Sequence, residues 1–173
     1  MKKIVIINDV NTKDNDSIDK FKKLGEEFGY KTEVVDDLCS DSMEEFSEWF
    51  LKMEQEGPDA VPLNEKLIEA MRDADIVITA MSAIPTKAVD GAENLKAACI
   101  MRSGVENINL KNATKKKIPV INTPGRLAVP VSEFTVGLMI AEMKNIARSN
   151  MRILNHDFSD ADFCNTSYTV NLK

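Results

Sequence analysis

The chain has 173 residues, with 22 Lys and Arg against 28 Asp and Glu, a formal charge of −6 with its single His neutral. That balance excludes a strongly basic nucleic-acid binder, because neutralising phosphates needs a surplus of cations. At 43% hydrophobic and 29% charged, the chain has the composition of a globular protein able to build a core.

The elements alternate from the start. Ile4-Val5-Ile6-Ile7 is β-branched throughout and stops at Asn8-Asp9, as a parallel strand covered on both faces would. Ile18, Phe21, Leu24 and Phe28 then recur at helical spacing, with Asp16 or Ser17 as N-cap and Gly29 as the stop. Thr32 to Val35 predicts a second strand. Ser42 and Glu45 form a capping box ahead of the stripe Met43, Phe46, Trp49, Phe50 and Met53, which Gly57-Pro58 ends. Leu63, Leu67, Ile68 and Met71 predict a further helix, and Ile76 to Thr79 the third strand. A short turn-helix from Pro85 to Ala92 leads to the strand Ala97 to Met101. A loop from Arg102 to Asn107, a helix from Leu110 to Lys117 and the strand Pro119 to Asn122 follow.

Strands alternating with helices at this spacing predict a doubly wound, flavodoxin-like α/β domain with five parallel strands and right-handed crossovers, spanning residues 1–125. Any ligand then belongs beyond the carboxyl ends of the strands. Residues 126–173 read differently. From Val131 to Asn150 no Pro or strand signal intervenes, which predicts one long helix. Seven of the ten residues from Phe134 to Met143 are apolar and point all around it, so this helix expects a second surface, another domain or another subunit.

The apolar runs fall far short of the ~18 residues a membrane helix needs, and Met1 to Ile7 reaches polar residues too soon for a signal peptide. A cytoplasmic protein is expected. Cys39, Cys99 and Cys164 are widely spaced and odd in number, which predicts reduced thiols rather than a disulfide framework or a zinc site. Asp14, Asp16 and Asp19 lack the Gly and Glu of a calcium loop, so no metal site is expected. No two of the 7 glycines lie two apart, which excludes a dinucleotide fingerprint within the chain, and no Walker loop or Gly-x-Ser-x-Gly elbow occurs. His156 beside Asp157 reads as a solvated tail residue, and Lys115-Lys116-Lys117 as a solvated helix end. What remains is Arg102-Ser103-Gly104-Val105: a turn after an apolar strand whose backbone N–H groups can form an anion nest, with a guanidinium at its edge. Such a loop suits a small organic acid.

Three ordered runs, Leu95 to Ile108, Ile118 to Gly125 and Val131 to Met139, resemble the D-2-hydroxyacid dehydrogenases, the phosphoglycerate dehydrogenase-like group. The likeness is closest from about Asp75 to Asn150. It implies that Ser103, Gly104 and Val105 offer N–H groups to a substrate carboxylate, with Arg102 at the edge of the loop. It further implies that Asn122, Pro124 and Gly125 form an interdomain hinge, that the following helix packs on a cofactor domain, and that Thr135 approaches a nicotinamide. The loop is shorter than the Gly-Val-Gly-x-Asp-Asn form common in phosphoglycerate dehydrogenases, which leaves the identity of the acid open.

On this resemblance the glycine fingerprint, the residue that selects NAD or NADP, and the catalytic Arg, Glu and His are all expected beyond Lys173. The chain is then the substrate-binding portion of an NAD(P)-dependent oxidoreductase of the EC 1.1.1 type, inactive alone and with no cofactor bound, that forms homodimers through Val131 to Asn150. Neither nucleic acid nor membrane is expected as a partner. The competing expectation is a stand-alone binding or regulatory module that associates through the same helix.

Overall fold

The structure is a computed structural model that describes residues 2–12, 16–37 and 42–156. The chain divides into two compact units, Met1–Pro124 and Gly125–Lys173.

In the first unit five strands form one parallel sheet: β1 (Lys3–Asn8), β2 (Lys31–Asp36), β3 (Ile76–Thr79), β4 (Ala97–Ile100) and β5 (Val120–Asn122), in the order β2-β1-β3-β4-β5. Between them run α1 (Ser17–Glu27), α2 (Met43–Glu56), α3 (Glu65–Met71), α4 (Thr86–Gly91) and α5 (Leu110–Lys115). Successive strand residues face opposite sides of the sheet, and the burial follows that period. Val5, Ile7, Val77, Ala98 and Ile100 join Leu67, Met71, Val89 and Ala113 in the main core. Ile4, Ile6 and Ile78 turn to the other face, where Phe21 of α1 and the half-buried Cys99 and Met101 meet them. Right-handed crossovers explain the division: β1 to β2 runs one way, and every later step runs the other, so α1 is set apart from α3, α4 and α5.

The helix ends follow their local chemistry. Ser42 Oγ accepts from Glu45 N at 3.2 Å, completing half of the predicted capping box. Asn64 Oδ1 accepts from Lys66 N and Leu67 N, so α3 starts after Leu63. Gly29 and Gly57 both take positive φ, at 72° and 96°, just past the ends of α1 and α2. Met53 of α2 is fully buried against Val61 and Ala83, with Trp49 and Phe50 packed beside it.

At the amino ends of the strands Asp75 accepts from the Lys3 backbone N–H at 2.7 Å and pairs with Lys96 Nζ at 2.7 Å. Those two partners, Lys96 foremost, hold its carboxyl below the usual aspartate range. The Lys3 ammonium is buried, which opposes its charge. Asp73 at 2.5 Å and Glu33 at 2.9 Å outweigh that effect and raise its pKa.

The second unit contains α6 (Ala128–Met143) and α7 (Ile146–Leu154). The single helix predicted from Val131 to Asn150 is therefore two helices. Asn145 takes a left-handed conformation with φ 56°, a geometry Asn tolerates because its short polar side chain bonds locally, here accepting from Arg148 Nε at 2.5 Å. The helix also begins earlier than predicted. Pro130 lies in the first turn of α6, where its missing N–H has no intrahelical partner to lose. No residue of α6 is buried, with Phe134 68% and Leu138 55% exposed. Among the described residues no helix is long and apolar enough to cross a membrane. His156 is exposed with φ 51°, while Asp157, Asp14, Cys39 and Cys164 lie outside the described residues.

Candidate functional site

The sheet order reverses between β1 and β3, the place where doubly wound folds bind ligands. Here that point is filled by the chain itself. Asp9, fully buried after β1, accepts at Oδ2 from the backbone N–H groups of Ala80 at 2.9 Å, Met81 at 2.6 Å and Ser82 at 3.3 Å. Its Oδ1 accepts from Asn11 N at 3.0 Å, and its own N–H donates to Thr12 Oγ1 at 2.8 Å. Three amides converging on one oxygen make an anion nest whose occupant is a side chain. A dinucleotide pyrophosphate does not fit there: it would meet a carboxylate in place of glycine backbone, and the turn carries no Gly-x-Gly-x-x-Gly.

The next loop, after β4, is strapped to this one. Asn107 is fully buried, donates Nδ2 to Ser82 O at 3.0 Å, and accepts at its backbone oxygen from Ile84 N at 2.7 Å. Ile84 and Ile108 add a parallel bridge. From the far side Asn122 Nδ2 donates to Ser103 O at 2.7 Å, and Thr123 N donates to Arg102 O at 3.1 Å. Thus Ser103, Gly104 and Val105 sit in a loop anchored at both ends, with Ser103 exposed and the other two half-buried.

Arg102 is held in place rather than free. Its side chain is 15% exposed, its Nη2 lies 2.6 Å from Glu54 Oε1 and 3.4 Å from Glu106 Oε2, and its guanidinium carbon stands 4.8 Å from the Phe50 ring centroid. Its Nη1 is buried without a hydrogen-bond partner among the described residues. The adjoining cleft, about 590 Å³, is bounded by Glu54, Glu56 and Asp59 on one wall and by Val105, Glu106 and Lys111 on the other.

The sequence brings four candidate residues, Arg102 to Val105, into one loop and places Asn122 beside them, with Pro124 and Gly125 at the boundary between the two units. Gly125 has φ 82°, a conformation that suits glycine at a chain turn. Thr135 is exposed on α6, and its hydroxyl donates to Val131 O at 2.7 Å. Sequence reasoning missed Asp9, which reads only as the end of a strand, Phe50, which reads as part of a helix stripe, and Glu54, which carries no signal of its own within that helix. Asn107 lay within the recognised run, but its burial has no local signal. Burial pushes the Cys99 thiol up, which disfavours its thiolate form. Among the described residues no group of three His, Cys, Asp or Glu is placed to hold a metal ion.

Known proteins give this arrangement its context. The chain is 36% identical over 86 residues to a D-3-phosphoglycerate dehydrogenase of Methanocaldococcus jannaschii, covering 49% of this chain and 16% of that protein. It is 35% identical over 96 residues to a glyoxylate reductase of Thermofilum pendens, covering 55% of this chain and 28% of the other. Among solved structures, a Pyrococcus horikoshii protein matches with a TM-score of 0.63 at 22% identity, over 94% of this chain and 39% of that one. An NAD-dependent formate dehydrogenase from Staphylococcus aureus, solved with NAD, matches with a TM-score of 0.59 at 19% identity, over 94% and 45%. These two likenesses concern the fold. The chain spans less than a third of the length of the two curated relatives. Residues 33–171 match the model of the D-isomer specific 2-hydroxyacid dehydrogenase catalytic domain, and the chain belongs to that family.

Proposed function

We propose that this chain is the substrate-binding portion of an NAD(P)-dependent oxidoreductase that interconverts a D-2-hydroxy acid and a 2-oxo acid. The observation that carries the reading is the anchored loop Ser103-Gly104-Val105 at the carboxyl edge of the sheet, strapped by Asn107 and Asn122 and flanked by the sequestered Arg102. Its backbone N–H groups are the acid-binding donors. In this reading Arg102 shapes the loop and contributes charge from behind it, since Glu54 already takes one of its nitrogens.

The filled nest at Asp9 and the absence of a glycine fingerprint point to a dinucleotide held by a separate unit, outside the first domain. Asn122, Pro124 and Gly125 are then the crossing between the two. The exposed apolar α6 packs on that unit or on a second copy of the chain, and Thr135 faces the nicotinamide. The homodimer and a cytoplasmic setting belong to the same proposal.

The test is an assay of NADH oxidation by the purified 173-residue chain with glyoxylate, hydroxypyruvate and 2-oxobutyrate. No turnover is expected with any of the three. Turnover by this chain would contradict the division of labour proposed here.

A further inference from the structure

The acid-binding loop already contains a carboxylate. Glu106 folds back so that its carboxyl group lies against Gly104, where any Cβ would collide with it. The same group stands 3.4 Å from Arg102 Nη2, which Glu54 also approaches at 2.6 Å. Two carboxylates therefore face one guanidinium before any ligand arrives. The cleft beside them continues the pattern, since Glu54, Glu56, Asp59 and Glu106 line it against Lys111.

A ligand carboxylate that binds beside Gly104 comes up against the Glu106 carboxyl group, which can swing aside but stays tethered to the loop. A monoanionic ligand thus adds one negative charge to the loop. A ligand with a second negative group adds two. Its phosphate or second carboxylate would enter a cleft whose acidic groups outnumber its cation, and like charges brought together disfavour binding.

We propose that Glu106 is the specificity-determining residue of this loop, and that the loop selects small monoanionic 2-oxo or 2-hydroxy acids over phosphorylated or dicarboxylic ones. The inference rests on the reading of Ser103 to Val105 as the acid-binding segment.

The experiment titrates the 173-residue chain and its E106Q variant with glyoxylate, 3-phosphoglycerate and 2-oxoglutarate by isothermal calorimetry. Glu106 is half-exposed, and circular dichroism checks that the substitution leaves the fold intact. In the unaltered chain glyoxylate is expected to bind at least about tenfold more tightly than either dianion. In E106Q that preference is expected to fall about fivefold, roughly what one like charge at contact distance in water is worth. A dianion preferred by the unaltered chain, or a preference unchanged in E106Q, overturns the role of Glu106 and leaves the acid-binding loop standing. Absence of binding for all three acids in both proteins overturns the loop reading together with this one.

Discussion

The side-chain amide of Asn107 donates to the carbonyl of Ser82 across 3.0 Å, joining the loop after β3 to the loop after β4 inside the protein. Both residues are fully buried, so neither group has water as an alternative partner. Asn107→Ala would leave the Ser82 carbonyl with its 3.2 Å bond from Thr79 Oγ1, remove the amide that ties the two loops, and open a small void. Urea denaturation should show a loss of about 1–3 kcal/mol. A loss near zero would mean that the two loops are held together by something else.

The carboxylate of Asp9 is the second strut. Charged acceptors on backbone N–H groups are the stronger kind of hydrogen bond, and this one satisfies three amides at a single oxygen. Asp9→Ala leaves those donors buried and empty, and we expect a loss of at least about 3 kcal/mol in the same measurement. Asp9→Asn should fall between the variant and the parent chain. If Asp9→Ala unfolds at the parent's urea midpoint, the nest does not hold the β3 loop.

Asp75 ties stability to acidity. Lys96 and the Lys3 N–H lower its folded pKa below the ordinary 3.8, so the folded state favours the ionised form. Its contribution is fully present above that ordinary value and is lost as the pH falls through the lower, folded value. Urea midpoints of the chain and of Asp75→Asn should thus differ most at pH 5 to 7 and converge as the pH drops below 3.8. A gap that widened on acidification would reverse the sign argued here.

The exposed face of α6 should drive association. Phe134 and Leu138 are more than half exposed on a helix that buries none of its residues, a contiguous apolar surface of the kind that marks an interface. Sedimentation should show concentration-dependent self-association, and the double variant Phe134→Lys, Leu138→Lys should shift the chain to monomer with its urea midpoint unchanged. A parent chain that stays monomeric at high concentration contradicts this use of α6.

Much of the fold is legible because the signals are local. A β-branched run that ends in Asn8-Asp9, or a Ser42 three residues before Glu45, states its structure within a few residues. The break between α6 and α7 is not legible in this way, because Asn145 adopts a left-handed turn without Gly or Pro to announce it. The site divides along the same line. Ser103-Gly104-Val105 is a local turn signal and a recognisable motif, whereas the pinning of Arg102 depends on Glu54, 48 residues earlier, whose sequence context is an ordinary amphipathic helix. Glu106 and Asn107 are neighbours in one sequence motif, yet one folds over Gly104 and the other is sealed under Ser82. Only tertiary packing separates those roles.

The most direct measurement is a residue-resolved NMR titration of the amide N–H signals with glyoxylate. The account predicts saturable shifts centred on Ser103, Gly104 and Val105, with little change at Ala80 to Ser82, whose amides Asp9 already occupies. Shifts confined to another part of the sheet, or none at saturating acid, would contradict the assignment of this loop as the grip on the substrate carboxylate.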